Sequence, residues 1–272
     1  MVVFPNAKIN IGLNILSKRE DGYHNISSCF YPIPLCDVLE IIPSEKFEFT
    51  GSGIPVDGAL EKNLCVKALR LLQEDHAVGE VKMHLHKVIP MGAGLGGGSA
   101  DATFTLKVLN KLFSLGLSTH KLEEYAAQLG SDCPFFARNE PVMATGTGTE
   151  FTPCTIDLAG KYLVLLYPNL HISTQEAYSG VKPALPSHDL QTVLTEKPLK
   201  DWPQWVINDF EGPISHKHSI ISQLKATLYD HGAFYASMTG SGSALYGIFE
   251  KPLINSKELP GIVWKGILPG HH

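Results

Sequence analysis

Strict alternation opens the chain. Ala7, Ile9, Ile11, Leu13 and Ile15 fall on one face, and Lys8, Asn10, Gly12 and Asn14 on the other. A period of two sustained this long predicts a strand with one buried face and one polar face. The polar face places Lys8 and Asn10 away from the core, pointing toward a cleft. A turn follows at Arg19-Glu20-Asp21-Gly22. YHNISSCFYPIPLCDVLEIIP then reads as strand, proline-rich bend and strand, and KFEFTGSGIPVDG as another strand entering a Gly/Pro loop. The period changes over 60–76, where Leu64, Ala68, Leu71 and Leu72 recur at helical spacing. VKMHLHKVI alternates again and runs into Pro90 and a glycine-rich stretch.

Beyond that stretch, Ala102, Leu106, Leu109 and Leu112 predict a helix over 99–113. Ser118 or Thr119 starts the next helix and Gly130 ends it. Ser131-Asp132-Cys133-Pro134 resembles a helix N-cap with proline near the first turn. YLVLLYP at 162–168 is a short, buried-type strand, and 180–204 reads as a loop with short helices. Ile220, Ile221, Leu224 and Leu228 mark one amphipathic helix over 215–231, closed by Gly232. FYASMTGSGSALYGIF reads as strand, glycine turn, strand. Strands come in groups rather than alternating with helices, so the expected class is α+β with mixed or antiparallel sheets.

With 272 residues the chain is long enough for two domains or lobes. A formal charge of −5 supplies no basic field and argues against nucleic acid as a partner. No apolar run approaches the roughly 20 residues that span a bilayer, and the N-terminus lacks a signal-peptide layout, so the expected location is cytoplasmic and no membrane partner is expected. Five cysteines without a C-x-x-C pair argue against a disulfide framework and a zinc site. His84 and His86 share a strand face; with no further ligand nearby in sequence, they read as partly exposed strand histidines rather than a metal pair. His271 and His272 read as a tail.

The densest chemical signal is PMGAGLGGGSAD at 90–101. Gly92, Gly94 and Gly97 satisfy G-x-G-x-x-G. A dinucleotide site, however, needs a near-continuous apolar strand before the first glycine and an acidic residue about 20 positions on. Here the strand alternates and ends in proline, and the position about 20 residues past Gly97 is Leu117. A Walker A loop is excluded because no lysine follows the glycines. What remains is a glycine-rich turn at a helix start, whose backbone N–H groups and helix dipole suit a phosphate, with Ser99 offering a hydroxyl. A plain strand–helix turn is the bland alternative, and this many glycines cost considerable chain entropy for that alone.

The stretch Pro90-Met91-Gly92-Ala93-Gly94-Leu95-Gly96-Gly97-Gly98-Ser99-Ala100 resembles the P-x-x-x-G-L-G-S/G-S/G-S-A motif of the GHMP kinase superfamily, which includes galactokinase, homoserine kinase and mevalonate kinase. Ala7-Lys8-Ile9-Asn10-Ile11-Gly12-Leu13 resembles its first motif and Thr239-Gly240-Ser241-Gly242-Ser243-Ala244 its third. Asp21-Gly22-Tyr23-His24, Gly130-Ser131-Asp132-Cys133-Pro134-Phe135-Phe136 and Asn208-Asp209-Phe210-Glu211 narrow the resemblance to the branch that phosphorylates a cytidine-diphosphate-linked methylerythritol in the non-mevalonate isoprenoid route. The resemblance implies a two-lobed α+β fold, with an N-terminal ATP-binding lobe over 1–153, a C-terminal α/β lobe over 154–272 and the active site in the cleft between them.

It also implies roles. Asp132 matches the family's catalytic aspartate, the general base, and Lys8 its catalytic lysine; the two are expected within or near salt-bridge distance. Asn63, Lys87 and the whole of 90–100 match the ATP side. Asn10, Tyr23, His24, Thr174 and Tyr178 match the cytidine side, Phe30 adding to that wall, with Gly240 and Ser241 close to the substrate phosphates. ATP and Mg²⁺ are the implied cofactors, although no acidic pair can be assigned to the metal. The expected partner is the small cytidine diphosphate substrate, and the expected state a monomer or weak homodimer. Two rivals stay open: another kinase of the superfamily, and a catalytically silent nucleotide-binding protein on the same fold.

Overall fold

The structure is a computed structural model that describes residues 1–56, 58–253 and 259–270. His271 and His272 lie outside the described residues. The strands are β1 (Val2–Val3), β2 (Asn6–Lys18), β3 (His24–Cys36), β4 (Val38–Pro43), β5 (Glu48–Gly53), β6 (Val81–Lys87), β7 (Val142–Thr145), β8 (Glu150–Pro153), β9 (Tyr162–Leu166), β10 (Tyr235–Met238), β11 (Leu245–Phe249) and β12 (Ile262–Ile267). The helices are α1 (Leu64–Asp75), α2 (Gly97–Leu112), α3 (Thr119–Leu129), α4 (Phe135–Arg138), α5 (Thr174–Ser179), α6 (Leu190–Glu196), α7 (Glu211–Lys217) and α8 (Ser219–Asp230). Strands and helices thus mix as the α+β pattern predicts. No helix among the described residues is long and apolar enough to cross a membrane.

The chain forms two compact units, each discontinuous in sequence. The first comprises 1–7, 35–91 and 96–140. Its sheet runs β1-β4-β6-β5, with β6 antiparallel to β4 and parallel to β5. Alternation along β6 buries Val81, Met83 and Leu85, which join Leu69 and Leu72 of α1, Leu106 and Leu109 of α2, and Leu122 of α3 in one core. Helix α3 begins at an Ser118 N-cap and ends at Gly130, as the sequence predicts.

The second unit comprises 8–34, 92–95 and 141–272. It carries two sheets, β2-β3-β7-β8 and β10-β11-β9-β12. The apolar run YLVLL makes β9 a fully buried strand paired on both sides, by β11 and β12. Val164 and Leu166 pack with Leu13, Ile15, Leu224, Leu228 and Phe249.

Several elements depart from the pattern. β3 continues through Pro32 and Pro34 instead of bending. Its pairing with β7 covers only 28–30, so neither proline removes a ladder bond on that side. The predicted helix over 215–231 is broken at His218 into α7 and α8. Helix α2 starts at Gly97, two residues early, because left-handed Gly96 (φ 70°) is its N-cap. Asp132 lies in the turn over 131–134 rather than capping α4, whose first turn has no side-chain cap. The hairpin β7–β8 and strand β12 carry little hydrophobic periodicity and escape the sequence pattern. His84 and His86 do share a face, bonded to the hydroxyls of Thr50 and Ser52.

Candidate active site

In the second unit three glycine-bearing motifs interlock. The Lys8 amide donates to the Leu95 carbonyl at 3.0 Å, joining β2 to the glycine loop. Thr239 Oγ1 accepts from the Asn10 amide at 3.0 Å and donates to the Gly94 carbonyl at 3.1 Å. The Ala244 amide bonds the Ala93 carbonyl at 3.2 Å. Gly94 has φ 78°, and a Cβ there would collide with the Thr239 carbonyl, so close backbone approach requires glycine. Ala93 and Leu95 are buried anchors, Met91 is exposed, and Pro90 is buried. Gly92 (φ 64°) faces the His171 ring. Gly240 is buried and Ser241 half-buried at the hairpin tip.

The polar face of β2 is buried too, which corrects the expectation that it opens outward. Lys8 is only 3% exposed and Asn10 2%. The burial is tolerable because the polar atoms are answered. Lys8 Nζ donates to Asn10 Oδ1 at 2.6 Å and sits 4.8 Å from the Phe30 ring centroid. Asn10 Nδ2 donates to Ser28 Oγ at 2.9 Å, and Ser28 passes its own proton to the Gly12 carbonyl. Thr239, the first residue of the third glycine motif, therefore belongs to this network, as does Ser28, which no sequence signal marks.

A second cluster lies at the start of β3. His24 stacks on Tyr178 with centroids 4.6 Å apart and planes at 22°. Burial first, then the charge of Lys18, holds the His24 imidazole below its ordinary pKa, favouring the neutral ring. Phe210 also meets Tyr178, edge to face, with centroids 4.8 Å apart and planes at 79°. Phe30 is buried, with Lys8 Nζ over its ring and Phe151 tilted against it at 6.1 Å between centroids. Tyr23 is 65% exposed at the turn, its amide held by Asp21. Thr174 opens α5 and is exposed.

The first unit holds the other candidates. At the start of α2 the amides of Gly97, Gly98 and Ser99 precede the first intrahelical bond, which Ala100 makes to Gly96 at 2.9 Å. They are donors suited to an anion at the positive end of a 16-residue helix. Ser99, half-buried at the helix start, lies beside the buried Cys133 thiol, whose pKa burial raises and the Ser99 side chain lowers in part. Ala100 is buried. Asp132 is half-buried in the turn before α4.

Two residues expected near ATP have structural partners. Asn63 caps α1, its Oδ1 accepting from the Cys65 amide at 2.9 Å. Lys87 is 2% exposed and ion-paired to both Asp37 and Asp101, the latter at 2.8 Å. Asp37 Oδ1 also accepts the Val88 and Ile89 amides at 2.6 and 2.8 Å. Burial lowers the Lys87 pKa, but the pull of Asp101 and Asp37 outweighs it and the group stays protonated. For Asp101 burial wins over the single shared cation, and its carboxyl is pushed up to about 7.

Family models for the N-terminal and C-terminal domains of GHMP kinases match residues 63–140 and 204–256. A protein of Parabacteroides distasonis named 4-diphosphocytidyl-2-C-methyl-D-erythritol kinase is 51% identical over 252 residues, 93% of each chain. The chain belongs to the 4-diphosphocytidyl-2-C-methyl-D-erythritol kinase family. A crystal structure of a 4-(cytidine 5'-diphospho)-2C-methyl-D-erythritol kinase superposes with a TM-score of 0.82 at 30% identity, covering all of both chains. The mevalonate kinase of L. major shares the fold, with a TM-score of 0.70 over 97% of this chain and 96% of its own, at 16% identity. Membership in this kinase family makes the chain an ATP-dependent phosphotransferase acting on a small molecule, and the motif geometry above is its version of the GHMP glycine loops.

Proposed function

We propose that this chain transfers the γ-phosphoryl group of ATP to the 2-hydroxyl of 4-diphosphocytidyl-2-C-methyl-D-erythritol, giving the 2-phosphate and ADP in the non-mevalonate route to isoprenoids. The 51% identity over 93% of a kinase of that name carries the substrate assignment. The five free cysteines support work in a reducing cytoplasm.

Phosphoryl transfer asks the protein to position, to neutralise charge and to accept a proton. Asp132 takes the proton from the attacking hydroxyl. Lys8 stabilises the negative charge that develops there; its burial on Asn10 and Phe30 keeps the ammonium fixed and poorly screened. The amides of Gly97, Gly98 and Ser99 bind phosphate oxygens, and the left-handed glycines at 92, 94 and 96 keep the preceding backbone clear. Mg²⁺, coming with ATP, would supply charge neutralisation on the phosphates, with the Ser99 hydroxyl as a candidate protein ligand. His24 and Tyr178 form the wall for the cytosine, with Tyr23 at its rim and Asn10 and Thr174 reading polar edges. Gly240 and Ser241 approach the diphosphate.

A coupled ADP-release assay offering the cytidine substrate, mevalonate and homoserine separately tests the assignment. Turnover of the cytidine compound alone is expected. Turnover of mevalonate or homoserine instead would keep the superfamily and sink the substrate. ATP binding without any turnover would leave a silent member of the fold.

A further inference from the structure

The tetrapeptide Asn208-Asp209-Phe210-Glu211 leads into α7 from a short stretch in which Val206 is buried and Trp205 and Ile207 are exposed, and its side chains have no role in the chemistry above. Each one nevertheless ends on something that matters. Asn208, 2% exposed, donates both amide protons, to the Met238 carbonyl at 2.8 Å and the Gly240 carbonyl at 2.9 Å. Its Oδ1 accepts the Phe210 amide at 3.0 Å. Glu211 Oε2 accepts the Met238 amide at 2.9 Å and the Ser237 hydroxyl at 3.2 Å, while Oε1 pairs with Lys225. Met238 is thereby gripped at both its amide and its carbonyl, immediately before the glycine hairpin. From there Thr239 Oγ1 reaches Asn10 and Gly94.

The other two residues face β2 and the aromatic wall. The Asp209 amide donates to the Leu13 carbonyl at 2.8 Å, and its Oδ2 accepts the Ile15 amide at 2.7 Å. The Leu13 amide donates to Ile207 at 2.9 Å, so the segment runs parallel beside β2. Phe210 sets its ring edge-on to Tyr178, which stacks on His24. An edge-to-face contact fixes ring orientation, not only burial.

We infer that residues 208–211 are a positioning element for the substrate side of the reaction: Phe210 orients the Tyr178–His24 stack, and Asn208 with Glu211 sets the hairpin that carries Gly240 and Ser241. This rests on the cytosine-wall reading of His24 and Tyr178. A buried amide whose two protons both serve one hairpin has no cheap substitute, since leaving those carbonyls unpaired costs their full desolvation.

The test is steady-state kinetics on the full chain with the cytidine substrate and ATP varied in turn, together with hydrogen exchange of the free protein. Phe210→Leu keeps apolar volume and loses the ring. It is expected to raise KM for the cytidine substrate by about three- to ten-fold and to leave KM for ATP within about two-fold. Asn208→Ser, too short to reach either carbonyl, is expected to speed amide exchange over 239–244 and lower kcat by about ten-fold or more. Should that variant not fold, Glu211→Gln carries the same arm with the same expected exchange. Unchanged exchange over 239–244, or equal rises in both KM values for Phe210→Leu, would overturn the inference in favour of plain fold stability. Tyr178→Ala run alongside separates the two failures. If it leaves KM for the cytidine substrate alone, the cytosine wall itself is wrong; if it raises that KM and Phe210→Leu does not, only the positioning role falls.

Discussion

Lys8 and Lys87 are both buried lysines beside glycine motifs, and different surroundings hold them. Lys87 sits between Asp37 and Asp101, so two carboxylates share one ammonium, and Asp37 also clamps the Val88 and Ile89 amides that lead into the glycine loop. Lys8 Nζ donates to the Asn10 amide oxygen and lies over the Phe30 ring. A cation matched by two buried carboxylates has little left for a phosphate. The proposed division is between Lys87, which shapes the entry to the loop, and Lys8, which serves the chemistry.

The sharpest way to break that contrast is to remove each charge in turn. Lys87→Met leaves two buried carboxylates without a cation and is expected to cost about 3–5 kcal/mol of folding stability, read by urea unfolding. Lys8→Met removes the ammonium beside Phe30 and is expected to lower kcat by about 100- to 1,000-fold while costing less stability than Lys87→Met. Equal losses of stability would make Lys8 a second structural lysine and end the contrast.

Asp101 sharpens it through pH. Its carboxyl is pushed up to about 7 by burial, so the folded chain takes up this proton well before the unfolded chain, where a carboxylate titrates near about 4. The folded state therefore binds more protons across that interval, and stability falls as pH rises from about 4 to about 7, then levels. Asp101→Asn should remove that decline and leave Asp37 as the single partner of Lys87. Thermal melts of both proteins across this range decide it; parallel curves would mean that another group drives the slope.

What the sequence shows of all this follows from locality. The three glycine motifs are legible because left-handed backbone and close approach demand glycine at fixed spacings, as at Gly94 and Gly96. The alternation of β2 and β6 is legible for the same local reason, and it correctly pairs Lys8 with Asn10 on one face. It does not reveal that this face is buried, because burial of a polar face depends on distant partners such as Ser28 and Thr239. The Lys87 pair with Asp37 joins residues 50 apart across two strands and leaves no periodic trace. The split of the 215–231 helix at His218 is hidden because the helical spacing comes from Ile220, Ile221, Leu224 and Leu228, all in α8, and carries no signal over 215–217.

Asn63 offers the smallest and most discriminating test. It matches a position on the ATP side, yet its Oδ1 is occupied in capping α1. A cap of this kind contributes about 1 kcal/mol, and aspartate or serine supplies it nearly as well as asparagine. Only asparagine also presents an amide donor to a nucleotide. Asn63→Ala should lose about 1 kcal/mol of stability whichever role dominates. Asn63→Asp should keep that stability, so its KM for ATP isolates the remaining function. A KM that rises several-fold in Asn63→Asp with an unchanged melting temperature places Asn63 with Lys8, as a polar group kept for the ligand. An unchanged KM places it with Lys87, as one that shapes the first unit from within.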